Sequence, residues 1–312
     1  MRILTLVRWC GFILATLMFG LIPSVYGQRR PASTAASSGN SITVQTEPEA
    51  AIWLDEIRRG TTDASGKFEI KKVSPARHVL RVRATGFKEA SLPILPGRRG
   101  LIAVKLLPTT DEAELAFQKA EAAREKAKDE ETRKESVDLY RRALKLRPVF
   151  PAAHVGLARV LMDLTEYRPA LAEIEAARNA RPAYPEASAV EGRIYRELAF
   201  ADDAVKSFRR AIREGGGVQP EAHVGLARLY EDRGQNEEAA AEYEIALKQL
   251  FDSEPVIYQL LGAVYERMEK YKEALAAYEK YLELDPNGNL APAVRSIIDQ
   301  VRRQASGEEL RP

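Results

Sequence analysis

The chain has 312 residues, 45% hydrophobic and 29% charged, with 47 Lys and Arg against 45 Asp and Glu. That balance suits an ordinary folded protein of about two domains and argues against a general binder of nucleic acid or other polyanions. The single cysteine, Cys10, excludes a disulfide framework.

The N-terminus stands apart from the rest. Arg2 and Arg8 precede an apolar run from Trp9 to Ile22, and Pro23 leads into SVYG, ending at Gly27. A basic start, an apolar centre and small residues at Val25 and Gly27 predict a secretory signal peptide over 1–27, cut before Gln28. The run is short of the roughly 20 apolar residues of a membrane span, and an uncleaved anchor is the alternative. Cys10 lies within the run rather than after a cleavage site, which argues against a lipoprotein anchor. The chain from Gln28 onward then holds 45 basic and 45 acidic residues and no cysteine. Its charge is uneven: residues 41–108 carry a surplus of five positive charges, and the repeats that follow are acidic.

Residues 28–40, QRRPASTAASSGN, have too little apolar content to fold and read as a flexible linker. Over 41–108, short segments such as SITVQT, AIWLD, KFEI, HVLRVRA and LIAVKLL are bounded by Gly, Pro, Ser or Asp. Their spacing predicts a small antiparallel β-sandwich. From Arg77 to Ala84 the alternation puts His78, Leu80, Val82 and Ala84 on a core face. Arg77, Val79, Arg81 and Arg83 fall on the other, a basic outer stripe. That stripe is a candidate contact for anionic envelope polymer, lipid headgroups or an acidic protein. A solvated sheet face is the plainer reading, and the acidic repeats offer a partner within the chain.

From Thr110 the pattern becomes helical. The small residues Ser136, Ala170, Ala204, Ala239 and Ala274 step by 34, 34, 35 and 35. Two helices per unit at that period predict five stacked hairpins over 112–286, at about 112–148, 151–182, 185–217, 219–252 and 254–286. A capping helix is expected at 290–305 and a tail at 306–312. Gly192, Gly262, Ala158 and Ala227 are small where the two helices of a hairpin cross. The heptapeptide AHVGLAR occurs at Ala153–Arg159 and again at Ala222–Arg228, at the same place in the second and fourth hairpins. The copies are therefore equivalent scaffold elements rather than halves of one site.

Two resemblances follow from these residues. The helical region resembles the tetratricopeptide repeat (TPR) family, most clearly at Leu261-Gly262, Tyr265, Ala274, Tyr278 and Pro286. The strand region resembles the PEGA family of small envelope sandwiches through Pro48-Glu49-Ala50-Ala51, Gly60-Thr61-Thr62, Pro75, His78–Val82 and Gly86-Phe87. Ala50 and Ala76 replace glycines usual there. Asp63, Gly66, Lys67 and Phe68 are also similar to the carboxypeptidase regulatory-like sandwich. The resemblance implies a multidomain chain: a sandwich, then an all-α superhelical solenoid whose concave groove takes a protein or peptide, with no catalytic part.

The site expectations follow. Arg159, Arg193 and Arg228 share one position on the first helix of successive repeats, which in the family lines the concave groove. With Arg196 and Glu231 they form a candidate reader of a peptide's carbonyls, carboxylates or acidic side chains. The plainer reading is i,i+4 ion pairs: Arg159–Asp163, Arg193–Glu197 and Arg228–Asp232. His154 and His223 stand two repeats apart and cannot share one metal ion; they read as packing residues. Glu191 takes a position that is Leu157, Leu226 and Leu261 elsewhere. It either reaches water, the favoured reading, or pairs with Arg210 or Arg213. Gly215-Gly216-Gly217 lacks the Lys-Ser/Thr of a phosphate cradle, and no P-loop, HExxH or GxSxG is present. No cofactor, metal or nucleic acid is implied.

The function expected is therefore a non-catalytic exported scaffold of the bacterial cell envelope, in the periplasm or at the surface. The alternatives are a structural protein anchored to surface polymer by the basic sandwich, or an accessory subunit of an envelope enzyme or secretion complex.

Overall fold

The computed structural model describes residues 41–306, apart from residues 56, 72, 74–76 and 252. The expected signal peptide, the linker over 28–40 and the tail from 307 lie outside the described residues.

Seven short strands form two facing sheets. β1 (Ile42–Gln45), β4 (Lys67–Ile70) and β7 (Gly100–Ala103) make one, in the order β4-β1-β7. β2 (Ala51–Leu54), β3 (Ile57–Thr61), β5 (His78–Arg83) and β6 (Ala90–Ile94) make the other, in the order β3-β2-β5-β6. Pairing is antiparallel except along β1–β7, which run parallel. The alternation seen in sequence places Ile42, Val44, Ile52, Leu54, Leu80 and Val82 between the sheets, all at most 2% exposed. Each such side chain contributes about 1.5–3 kcal/mol by leaving water. Between β2 and β3 the register slips by one residue, leaving Arg59 without a cross-strand partner. Such a bulge sharpens the local twist and re-aims the strand.

The helices follow as antiparallel hairpins. α1 (Glu112–Lys126) pairs with α2 (Glu130–Leu146), α3 (Pro151–Asp163) with α4 (Tyr167–Ala180), and α5 (Pro185–Glu197) with α6 (Ala201–Glu214). α7 (Pro220–Asp232) pairs with α8 (Asn236–Leu250) and α9 (Val256–Arg267) with α10 (Tyr271–Leu284); α11 (Ala291–Ser306) covers the end. Asp111 caps α1 by accepting from Ala113 and Glu114 N–H, and Asp129 closes a capping box with Thr132 on α2. Pro151, Pro185 and Pro220 open α3, α5 and α7, where a missing N–H costs nothing. The tight turns of the second to fifth hairpins each hold one left-handed residue, Thr165, Ala199, Gly234 and Glu269, at the repeat period.

Close helix crossing depends on small residues meeting buried rings. A Cβ on Gly192 would stand 2.6 Å from the Phe208 ring within its own hairpin, and one on Gly225 would stand 2.2 Å from the same ring across the repeat boundary. Gly156 faces Tyr140 of the preceding repeat in the same way. So the glycine of AHVGLAR receives the aromatic side chain of the repeat before it. The histidine has an equally fixed role: His154 Nδ1 lies 2.5 Å from Glu173, and His223 Nδ1 lies 2.6 Å from Glu242, each 19 residues on. Glu191, for which contact with water was the favoured expectation, instead pairs with Arg210 and accepts from Ser207 Oγ at 2.9 Å.

Candidate partner-binding chamber

The outer face of the four-stranded sheet is turned onto the solenoid. Residue Ile57, at the turn between β2 and β3, is buried in one cluster with Ala227, Leu250, Ile257 and Leu261 of α7–α9. Arg58 reaches back to Glu125 on α1 at 2.7 Å. Arg59 stacks over Phe251 at 4.5 Å and donates to the Leu250 carbonyl at 3.3 Å. The β2–β3 hairpin therefore bridges the repeats from the first to the fifth. Gln118 on α1 fixes the sandwich from its other side, accepting from Gly86 N–H at 2.9 Å and donating to the Phe87 carbonyl at 2.8 Å.

Two arginines of the expected outer stripe have partners within the molecule. Arg83 pairs with Glu89 at 2.7 Å and Glu121 at 3.7 Å, and lies 4.8 Å from the Phe117 ring. Burial opposes its charge, but the two carboxylates outweigh burial and raise its pKa. Arg81 stacks on Trp53 at 4.5 Å and stands 3.6 Å from Glu89. Arg81 braces the sandwich, and Arg83 also joins it to α1. Arg77 is exposed.

Between the hairpin and the repeats lies a chamber of about 630 Å³. Trp53, Asp55 and Arg58 form one wall. Arg159, Arg193, Arg196 and Arg228 line the other, with Tyr184 and Arg181 between repeats. All four arginines expected in the groove do meet at one cavity. Glu231, expected beside them, does not line it. Glu231 accepts from Tyr243 Oη at 2.5 Å and pairs with Arg267, holding α7 against α8 and the next repeat.

The arginines are paired differently from both sequence readings. None of the i,i+4 pairs forms. Arg159, 17% exposed, instead grips Glu221 through both terminal nitrogens at 2.8 and 2.9 Å and touches Glu186 at 3.4 Å. Arg193 reaches the same Glu221 at 3.0 Å. Burial alone would raise the Glu221 carboxyl, but Arg159 and Arg193 outweigh it and hold the pKa at about 2. Burial likewise opposes the Arg159 charge, and Glu221 and Glu186 raise its pKa well above the ordinary arginine value. Arg196 pairs with Glu197.

A rule connects these contacts. The ninth residue of one repeat's first helix reaches the second residue of the first helix in the next. Arg159 and Arg193 obey it with Glu186 and Glu221. Arg228 holds the corresponding place in α7, and the residue aligned with Glu221 in the fifth repeat is Val256, the first residue of α9 and 41% exposed. Arg228 is exposed and makes no ion pair among the described residues. The ladder thus ends in a guanidinium with no ion pair among the described residues; Arg228, Val256 and Glu254 all line the chamber. Sequence reasoning missed the acidic half of the ladder. The available signal was Glu186 and Glu221 in place of Ala152, with Val256 breaking the series. Nothing local marked Ile57 as the residue that enters the groove.

Among the described residues no group of three or more His, Cys, Asp or Glu is placed to hold a metal, and no helix is long and apolar enough to cross a membrane.

Comparison with known proteins agrees with the repeat architecture. Tetratricopeptide repeat models match residues 189–255 and 255–287. No curated protein matches the chain. Among solved structures, a thermophilic TPR protein of Thermus thermophilus is 22% identical, with a TM-score of 0.51 over 61% of this chain and 98% of its own. PilF of Pseudomonas aeruginosa is 14% identical, with a TM-score of 0.51 over 62% of this chain and 87% of its own. A chain of the APC/C hetero-tetramer Cut9–Hcn1 is 14% identical, with a TM-score of 0.52 over 64% of this chain and 41% of its own. The chain carries tetratricopeptide repeats behind a seven-stranded, two-sheet domain, a fold suited to protein–protein interaction.

Proposed function

We propose that the protein is a non-catalytic, exported scaffold of the bacterial cell envelope that takes an acidic segment of a partner protein into the chamber. The N-terminal pattern of Arg2, Arg8, the Trp9–Ile22 run and Gly27 supports export, and the PEGA-like residues of the sandwich support an envelope setting. One observation carries the binding reading: Arg228 has no ion pair among the described residues, and the position aligned with Glu221 in the fifth repeat holds Val256 in place of a carboxylate. A carboxylate from outside completes the series, as a partner's acidic side chain or chain end. The β2–β3 hairpin occupies part of the groove and the chamber holds about 630 Å³, which suits a short segment. With Arg81 and Arg83 engaged inside the molecule, the geometry gives no support to anchoring on surface polymer through that stripe.

Trp53 is the only tryptophan from Gln28 onward and lines the chamber wall, so its emission reports binding. Short acidic peptides and their amide counterparts are titrated into the chain from Gln28. Acidic peptides are expected to shift the emission saturably, and amides are not. Val256→Glu supplies the missing carboxylate from within and is expected to weaken acidic-peptide binding by about ten- to a hundredfold, the worth of one charge-assisted hydrogen-bonded pair. Arg228→Ala is expected to do the same. Binding by Val256→Glu at wild-type strength overturns the reading.

A further inference from the structure

The sandwich has a second exposed surface, on the side of β6 and β7. From Ala90 to Thr110 the sequence contains no acid and three bases, Arg98, Arg99 and Lys105. The connection Leu95–Leu101 is exposed at every residue. Leu95 is 68% exposed, Leu101 54% and Leu107 60%. Such side chains ordinarily sit inside a fold, and here they alternate with buried Ile94, Ile102, Val104 and Leu106. They are therefore a built outer face rather than frayed core. The tip is held in shape: Arg98 N–H donates to the Leu95 carbonyl at 3.1 Å, and the Arg98 guanidinium donates to the Leu101 carbonyl at 2.8 Å. That leaves two leucines flanking two arginines, neither of which forms an ion pair among the described residues. The acid on the outer face of that sheet, Glu69, is two strands away from Leu101 across Thr43.

The N-terminal end of the described chain lies at this tip. The Ser41 carbonyl accepts from Gly100 N–H at 3.2 Å, so the described chain enters the sandwich beside the arginines. The 13 residues before it lead back to the apolar run and include Arg29 and Arg30 and no acid.

We propose that the Leu95–Leu101 tip docks on an anionic phospholipid bilayer. Leu95 and Leu101 would enter the headgroup boundary while Arg98 and Arg99 meet the lipid phosphates. Apolar side chains rimmed by unpaired cations are the chemistry such a surface recognises, and a neutral or purely aqueous partner uses only half of it. The surface is separate from the chamber, and its test is independent of peptide binding.

The experiment uses the chain from Gln28, whose described hydrophobic clusters all lie between Ile42 and Val301 and so do not depend on the first 27 residues. Co-sedimentation is measured with vesicles of phosphatidylcholine alone and of equimolar phosphatidylcholine and phosphatidylglycerol, at low and high salt. The expected result is binding to the anionic vesicles at low salt and weak binding to phosphatidylcholine. Each base near an anionic surface contributes roughly a factor of five, so R98E/R99E is expected to lower partition by about 25-fold or more. R98K/R99K keeps the charge and is expected to bind like the wild type. L95S/L101S is expected to lose binding while keeping the same melting curve. Wild-type partition by either R98E/R99E or L95S/L101S overturns the proposal. So does a concentration-dependent dimer abolished by L95S/L101S, which assigns the leucines to a second copy. Retention on dextran sulfate without retention on anionic vesicles overturns it as well.

Discussion

Glu221→Gln tests the ladder most sharply, because the carboxylate is shared by two arginines from two other repeats. Its pKa of about 2, against an ordinary 4.5, corresponds to roughly 3 kcal/mol in favour of the folded state near neutrality. The sign follows from the direction of the change. The folded protein binds this proton more weakly than the unfolded chain does, so the stabilisation is complete above pH 5. It is lost as pH falls through 4.5 toward 2. Glutamine has nearly the shape of protonated glutamate and cannot titrate. The wild type is therefore expected to exceed Glu221→Gln by about 3 kcal/mol at pH 6, and the gap is expected to close to within about 1 kcal/mol near pH 2.5. The assay is urea denaturation followed by Trp53 emission across that pH range. Other carboxylates with lowered pKa, such as Asp111 and Asp129, titrate in both proteins and cancel in the difference. A gap that does not change between pH 6 and pH 2.5, or no gap at pH 6, refutes the shared-carboxylate account.

The remaining predictions concern packing and turns. Gly225→Ala forces a methyl group into the fully buried Phe208 ring and is expected to cost about 1–3 kcal/mol, read as a lowered denaturation midpoint. Ala199→Gly relieves a left-handed alanine at φ 60 and is expected to stabilise by about 0.5–1 kcal/mol, whereas Gly234→Ala at the equivalent turn is expected to destabilise by a similar amount. Ile57→Ser removes the hairpin's buried side chain and is expected to cost about 2–3 kcal/mol and to move Trp53 emission toward that of a solvated ring. Burial disfavours the charged form of His154, but hydrogen bonds to Glu173 and the Pro148 carbonyl outweigh it and raise its pKa. Its contribution is present below about pH 6.5 and lost as pH rises through the raised value, so His154→Gln is expected to flatten the decline in stability on the alkaline side of pH 6.5.

The fold was legible because repetition is redundant. Ala170, Ala204, Ala239 and Ala274 recur at one period and are each fully buried where paired helices cross, so one weak unit is corrected by its neighbours. The strand alternation of Ile42, Val44, Leu80 and Val82 was readable for the same reason: period two leaves each residue only one of two faces. The contacts between the two regions were not legible. Arg58 and Glu125 are 67 residues apart, and Arg59 and Leu250 are 191 apart; no local pattern distinguishes such partners from solvated charge. The chamber was half legible. A shared position for Arg159, Arg193 and Arg228 pointed to one surface, and the structure gathers them there. Their pairing depends on which residue of the next repeat stands opposite, a relation set by superhelical stacking rather than by spacing along one helix. Glu231 shows the converse: it sits one turn beyond Arg228 but turns toward Tyr243, because a buried hydroxyl needs an acceptor.

The β2–β3 hairpin lies across the repeats and touches the first and the fifth. From Gln28 onward the chain has no cysteine, so engineered thiols report on it without background. The direct measurement is intramolecular cross-linking by a short bismaleimide in two double variants, Arg58→Cys with Glu125→Cys and Arg59→Cys with Phe251→Cys. High yield within one chain in both variants is the predicted result. Cross-linking in neither, or only between chains, contradicts the account.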